Sequence, residues 1–142
     1  MVKFEPLTSE EAKRIEQEAL EKYYRATSEG KKPKLAEGEL AHIKSIFPFH
    51  LFPDELIIRP ETVTYIIRWG PGMHQSTTIH FDDIAQVAAD VGPFLGQLRI
   101  IPKLRTEEPL IIEKISRKNA LALEKLIEGM IEAHHKKHAS TY

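Results

Sequence analysis

Short stretches of alternating apolar and polar residues dominate the second half of the chain. In TVTYIIRW, residues 62–69, Val, Tyr, Ile and Trp occupy every second position, and the alternation returns in STTIHF and AQVAADV. Successive side chains of a β-strand point to opposite faces of a sheet, so this period of two predicts strands with one buried face. Turn signals such as RPET and GPG separate the stretches at the spacing of about 8 to 12 residues that is typical of antiparallel sheets. The sequence therefore predicts about six short strands.

Helical patterns flank these strands. The capping box formed by Thr8 and Glu11 precedes apolar residues at three- and four-residue steps, which predicts an amphipathic helix that ends in SEGKKPK. A second helix is predicted to begin after Ser116, a favourable N-cap residue, and to be apolar over much of its circumference. The apolar stripes of the two helices are Ala12, Ile15, Ala19 and Tyr23 in the first and Ala120, Leu123, Ile127 and Met130 in the last.

Two less regular stretches lie between the first helix and the first predicted strand. The apolar residues Leu40, Ile43 and Ile46 share one side of a short helix that is predicted from Leu35 to Ile46. The following IFPFHLFP places three of the six phenylalanines around two prolines. Proline disfavours helix at the residue before it, so this second stretch is predicted to be an extended strap that covers apolar surface.

Composition narrows the class of protein. The chain has 142 residues, 42% of them hydrophobic, which suits one globular domain. The net charge of −1 lacks the basic excess of a nucleic-acid-binding protein, so no nucleic acid is expected as a partner. Cysteine is absent, which excludes thiol nucleophiles and cysteine-ligated metals and fits a cytoplasmic location. No apolar stretch reaches the roughly 20 residues that a membrane-spanning helix requires.

One longer segment carries a family resemblance. TTIHFDDIAQVAADVGPFLGQLRI has a strand ending in an acidic residue and isoleucine, then a second strand, then a glycine-bounded aromatic loop and a leucine-containing strand. This pattern resembles bacterial pleckstrin-homology-like (PH-like) domains, and the similarity runs from about Phe52 to His135. The resemblance implies an α+β, mainly β protein with a PH-like antiparallel barrel of six to seven strands, capped by the C-terminal helix and extended by the N-terminal helix.

The resemblance also implies a domain organisation and a class of function. Residues 1–51 would form an N-terminal helix and strap that pack on a barrel of residues 52–142, as one structural unit. PH-like domains are binding modules rather than enzymes, and their ligands include lipid head groups, peptides and partner subunits. We therefore expect a non-catalytic module in the bacterial cytoplasm, with a partner protein or a second copy of the chain as its ligand.

Exposed apolar residues are the candidates for partner binding. Phe94 and Leu95 lie between two glycines in GPFLG, where holding them in water is costly unless they fold back or anchor another surface. Trp69 and Met73 flank the predicted GPG turn. These four residues form the predicted protein-binding set.

The alternative ligand is an anionic lipid surface at the inner face of the membrane. Phosphoinositide-binding PH-like domains carry closely spaced basic residues around the first hairpin, whereas this chain offers Arg59 and Arg68 there. Lys103 and Arg105 add basic charge in a later loop, and each lysine near an anionic surface contributes about 1 kcal/mol. These four residues are the predicted anion-binding set, with the Phe94 tip as an anchor.

A metal-assisted hydrolase is the third hypothesis. His80 and Asp82 project from one strand face and, with His74, could share a metal ion, although the plainer interpretation is a solvent-facing strand. His134 and His138 have the four-residue spacing of a helical metal pair, but no third ligand is evident. No G-x-S-x-G, H-E-x-x-H or phosphate-binding glycine loop occurs. We therefore expect no catalytic residue, no metal and no cofactor.

Overall fold

A computed structural model describes residues 5–28, 37–45, 52–104 and 108–139 of the chain. Over these residues the protein is α+β, with two helices and seven strands. The elements in chain order are α1 (Glu5–Ser28), β1 (Ala41–Lys44), β2 (Glu55–Ile58), β3 (Thr62–Gly70), β4 (Met73–His80), a 3-10 turn (Phe81–Asp83), β5 (Ile84–Val91), β6 (Leu95–Pro102), β7 (Leu110–Ser116) and α2 (Arg117–Ala139).

The strands form two separate antiparallel sheets. The first sheet has the order β1-β2-β3-β4 and the second has the order β5-β6-β7. Within the described residues no ladder joins the two sheets, because the chain leaves β4 through the 3-10 turn before β5 begins. The expected closed barrel is therefore wrong, although the antiparallel strands, the C-terminal helix and the additional N-terminal helix are confirmed.

Local predictions fare unevenly. The Ser116 cap is confirmed, because its Oγ accepts a hydrogen bond from the Asn119 backbone N–H at 3.1 Å. The helix predicted from Leu35 to Ile46 is wrong where it is described, because Ala41–Lys44 form β1 and pair with β2. Most of the predicted strap lies outside the described residues, and the division of the chain at residues 51 and 52 stays a prediction.

The core lies between the two sheets and α2. Its largest fully buried side chains come from both sheets, the 3-10 turn and α2, and each burial of this kind contributes about 1.5 to 3 kcal/mol relative to exposure. They are Phe81, Leu56, Ile58, Ile84, Leu98, Ile100, Ile112, Ile115, Leu123, Leu126, Ile127 and Met130. Helix α2 packs on the second sheet, mainly on β5 and β6. The apolar side chains predicted over much of its circumference are buried in this contact.

Helix α1 packs antiparallel against α2 and thereby covers the outer side of that helix. Glu11 near the start of α1 lies 3.7 Å from the Lys136 ammonium near the end of α2. Further along, a Cβ added at Gly129 would lie 2.6 Å from the Ala19 Cβ, closer than real Cβ atoms approach each other. Glycine is therefore what allows the two helices to touch at this point. In the described part of the chain, neither helix is sufficiently long and apolar to cross a membrane.

Replacing Gly129 with alanine is expected to lower the free energy of unfolding by about 1 kcal/mol. Alanine improves intrinsic helix propensity by about 1 kcal/mol, but overpacking in a close contact costs about 1 to 3 kcal/mol. Urea denaturation of the variant measures the difference, with Glu128→Ala on the exposed side of α2 as the control. A Gly129→Ala protein more stable than the wild type would contradict the close approach of the helices.

Candidate partner-binding surface

One face of β3 is buried in the core at the start of the strand and exposed to solvent at its end. Its alternating residues become steadily more exposed towards the β3–β4 turn, from Val63 at 0% and Tyr65 at 4% to Ile67 at 37% and Trp69 at 53%. The strand pairs with β4 residue by residue from Thr62 to Arg68, so the rise in exposure from Tyr65 to Ile67 comes from what lies above the strand. The second sheet and α2 cover one half of this sheet face and leave the other half uncovered.

The β3–β4 turn places two apolar side chains at the end of this uncovered half. Pro71 and Gly72 form the turn between the paired residues Gly70 and Met73, and Gly72 has a φ of 72°, which glycine adopts at little cost. A register shift next to Trp69 marks a β-bulge in the same hairpin. Met73 is 51% exposed. We call Ile67, Trp69 and Met73 the apolar overhang.

A groove lies between the uncovered half of the first sheet and the start of β7. Its volume is about 600 Å³. Apolar side chains from both sheets line it, and polar residues of β4, including Gln75 and Thr77, form one of its sides. The apolar lining consists of Tyr65, Ile67, Ile79, Pro102, Pro109, Leu110 and Ile111. This inter-sheet groove is continuous with the apolar overhang through Ile67, so one ligand can contact both.

Tyr65 connects the two sheets at the floor of the groove. Its hydroxyl lies within hydrogen-bonding distance of the Ile111 carbonyl on β7 and 3.2 Å from Asp54 Oδ2, while Asp54 Oδ1 accepts the Arg68 backbone N–H at 3.1 Å. Burial and the negative charge of Asp54 raise the pKa of Tyr65 above its ordinary value, so the hydroxyl remains a neutral donor. These bonds fix the floor without closing the groove.

Glu55 gathers the positive charges beside the overhang. Its carboxylate accepts hydrogen bonds from the Arg68 guanidinium and, at 2.7 Å, from His42 Nε2, and the Lys44 ammonium lies at 3.8 Å. Burial alone would raise the pKa of Glu55, but the bonds from Arg68 and His42 outweigh it and hold that pKa below its ordinary value. Arg68 is thus engaged within the protein.

The predicted anion-binding set does not converge. Arg68 is paired with Glu55, and Arg59 Nη1 donates a hydrogen bond to Thr64 Oγ1 at 3.0 Å. Lys103 follows the end of β6, whereas Phe94 precedes its start, so roughly 25 Å of strand separates the basic loop from its proposed anchor. Arg105 lies outside the described residues. Lipid binding stays a prediction that this geometry does not favour.

The predicted protein-binding set falls into two pairs on different sheets. Trp69 and Met73 belong to the apolar overhang of the first sheet. Phe94 is 84% exposed in the β5–β6 turn of the second sheet, where its carbonyl accepts the Arg117 backbone N–H of α2 at 3.0 Å. Leu95 is half-buried in β6 rather than exposed at the turn. The sequence therefore identified two separate apolar tips.

The histidines and acids of the hydrolase hypothesis are also dispersed. His74 and His80 stand at opposite ends of β4, about 20 Å apart along the strand. Asp82 Oδ1 lies 3.7 Å from Nδ1 of the buried His134, whose Nε2 lies 2.9 Å from the Pro60 carbonyl oxygen. Among the residues that the structure describes, no three His, Asp or Glu side chains are grouped to hold a metal ion. The His138 side chain lies outside this description.

Comparison with known proteins adds no family assignment. No protein-family model matches this chain, and no curated protein is significantly similar to it. Interpretation of the surface therefore depends on its own geometry. Sequence reasoning missed Ile67 and the Leu110–Ile111 side of the groove, because their alternating pattern is the same as that of core residues. The clustering of Ile, Trp and Met around GPG was the available signal.

Glu55→Gln is expected to lower the free energy of unfolding at pH 7 by about 1 to 3 kcal/mol, because Arg68 loses its charged acceptor. The lowered pKa of Glu55 means that its contribution is complete above its ordinary pKa of 4.5 and is lost as the pH falls through the lowered value. The difference between variant and wild type should therefore shrink as the pH falls through that lowered value. Urea denaturation at several pH values measures it, with the exposed Glu128→Gln as control. A difference that persists at low pH would contradict the ion pair.

Proposed function

We propose that this protein is a non-catalytic protein-binding module that uses the apolar overhang and the inter-sheet groove. The observation that carries the proposal is the loss of cover along one side of β3, which leaves Ile67, Trp69 and Met73 exposed beside a groove of about 600 Å³. A tryptophan and a methionine next to a concave, mostly apolar surface are typical of the central anchors of protein interfaces.

The chemistry of the surface favours an extended polypeptide segment as the ligand. Apolar side chains of such a segment would enter the groove, while its backbone could pair with β4, the outer strand of the first sheet. The polar residues Gln75 and Thr77 of that strand line the groove, and their side chains can hydrogen-bond a backbone. A small anionic metabolite finds less here, because Arg68 is already paired with Glu55 and the groove is lined by the acidic residues Asp83 and Glu108.

The proposal retains the PH-like resemblance and the cytoplasmic location as its context. A run of antiparallel strands followed by a C-terminal helix supports the resemblance, and binding through a sheet surface agrees with the role that it implies. The open arrangement of the two sheets departs from the expected barrel and creates the groove on which the proposal depends.

Trp69→Asp is expected to reduce partner capture from an extract of the native cells by roughly 30-fold, the loss typical of an aromatic anchor. Immobilised wild-type and variant proteins are compared by quantitative mass spectrometry. Phe94→Asp is the matched control, since it makes the same kind of change at an exposed aromatic residue on the other sheet. Both residues are exposed, so both variants should retain the wild-type melting temperature.

Two results would overturn the proposal. Equal capture by Trp69→Asp and wild type would remove the overhang from the binding surface. Loss of capture by Phe94→Asp alone would transfer binding to the β5–β6 turn.

A further inference from the structure

β4 is an edge strand whose side chains are nearly all exposed to solvent. It lies at the end of the order β1-β2-β3-β4, and seven of its eight residues are exposed. An edge strand presents unpaired backbone N–H and C=O groups that can template another strand, and soluble proteins commonly obstruct such edges. The sheet edges of this chain differ in whether they carry such an obstruction.

The other three edges in the described part of the chain are obstructed. β1 has only four residues and ends in Lys44. At the edge of β5, the Glu124 carboxylate of α2 accepts the Ala89 backbone N–H at 2.7 Å. β7 carries adjacent charges at Glu113 and Lys114, and a register shift accompanies the positive φ of 57° at Lys114. Shortness, an occupying side chain and a charged bulge are each known means of blocking edge pairing.

β4 has none of these features. Its sequence, MHQSTTIH, contains no Lys, Arg, Asp, Glu or Pro. Its ladder with β3 runs without a shift from His80 to His74, and the one irregularity adjoins the turn. Seven regularly paired residues, among them two threonines and an isoleucine that favour β-structure, make this edge suited to accept another strand.

We propose that β4 pairs antiparallel with β4 of a second copy of this chain, about a twofold axis at Ser76. The inference rests on the proposed function and deepens it, because it names the extended segment that binds beside the groove as the same strand of another copy. The two first sheets then form one continuous sheet of eight strands.

The side chains of β4 select this register. A twofold axis perpendicular to the sheet pairs residues of the same face, so it passes through either Ser76 or Thr77. With the axis at Ser76, Met73 lies opposite Ile79 of the second copy, an apolar pair, and Gln75 lies opposite Thr77 of that copy. With the axis at Thr77, His74 would face His80 and Gln75 would face Ile79. The Ser76 axis pairs apolar with apolar and polar with polar residues throughout, whereas the Thr77 axis sets a polar residue against Ile79, so the side chains favour the Ser76 axis.

The same register uses the apolar overhang. Met73 of each copy comes beside Ile79 of the other, and Ile79 lines the inter-sheet groove. A net charge of −1 on each copy adds little long-range repulsion between the copies. Because pairing of one strand edge gives an interface at the small end of the known range, the dimer is expected to depend on protein concentration.

Ser76 faces itself across the proposed axis, which allows a charge-swap test. Sedimentation velocity of the wild type should show a monomer–dimer equilibrium. Ser76→Lys and Ser76→Glu should each weaken self-association at least 10-fold, because like charges then face each other, and an equal mixture should restore dimers. Glu128→Lys, on the exposed side of α2, is the control and should leave the equilibrium unchanged.

Disulfide cross-linking tests the register. The sequence contains no natural cysteine, so only the introduced cysteines can form a disulfide. Residues directly opposite each other have Cβ atoms about 4.5 to 5.5 Å apart, within reach of a disulfide after small adjustment. Ser76→Cys should therefore form oxidised dimers at least 10-fold faster than Thr78→Cys, which lies on the same strand face but opposite His74 of the second copy.

A wild type that stays monomeric at millimolar concentration would overturn the inference, as would charge variants that all dimerise equally. Faster cross-linking at Thr78 than at Ser76 would overturn the register. The proposed function is judged separately: a monomeric chain whose Trp69→Asp variant still loses a captured protein would retain the binding surface and lose only the second copy as its occupant.

Discussion

The architecture depends on incomplete cover of one sheet by another. Where α2 and the second sheet lie over the first sheet, Val63 and Tyr65 of β3 are buried, whereas further along the same side of that strand Ile67 and Trp69 are exposed to solvent. Burial of apolar surface stabilises the folded protein. The exposed half of this sheet face therefore lacks stabilisation that a fully covered sandwich would have. The cost is concentrated at one groove and one hairpin, which is where the proposed binding to another molecule would recover it.

Polar contacts hold this uncovered half in place. Tyr65 is fixed between Asp54 and the carbonyl of Ile111, and Arg68 is fixed to both Asp54 and Glu55. These bonds lie below and beside the exposed apolar side chains, where apolar packing is thin. Buried polar groups of this kind are costly to leave unpaired, so the network also specifies one arrangement of the sheets. The resulting surface is preorganised, which lowers the entropy lost on binding.

Local pattern predicted the elements well and their assembly less well. Short apolar and alternating stretches predicted β2 to β7, and the N-cap residue Ser116 predicted the start of α2. Each of these signals depends on neighbouring residues alone. β1 was missed because AHIK is too short to display a period, and its strand conformation comes from pairing with β2. Closure into a barrel and the exposure of Ile67 depend on how far one sheet reaches over the other. No pattern within TVTYIIRW distinguishes its covered residues from its exposed ones, so Trp69 was recognisable as a candidate while Ile67 was not.

The hydrogen bond from Ala89 to Glu124 carries a further consequence for solubility. While α2 remains on the second sheet, the described part of the chain offers one open edge, and two molecules paired as proposed would satisfy each other and stop. If the helix detaches, β5 becomes a second open edge on the same chain. A particle with two open edges can add neighbours on both sides without closing, which is the geometry of fibre growth. One carboxylate on α2 thus helps to separate a finite assembly from an unlimited one.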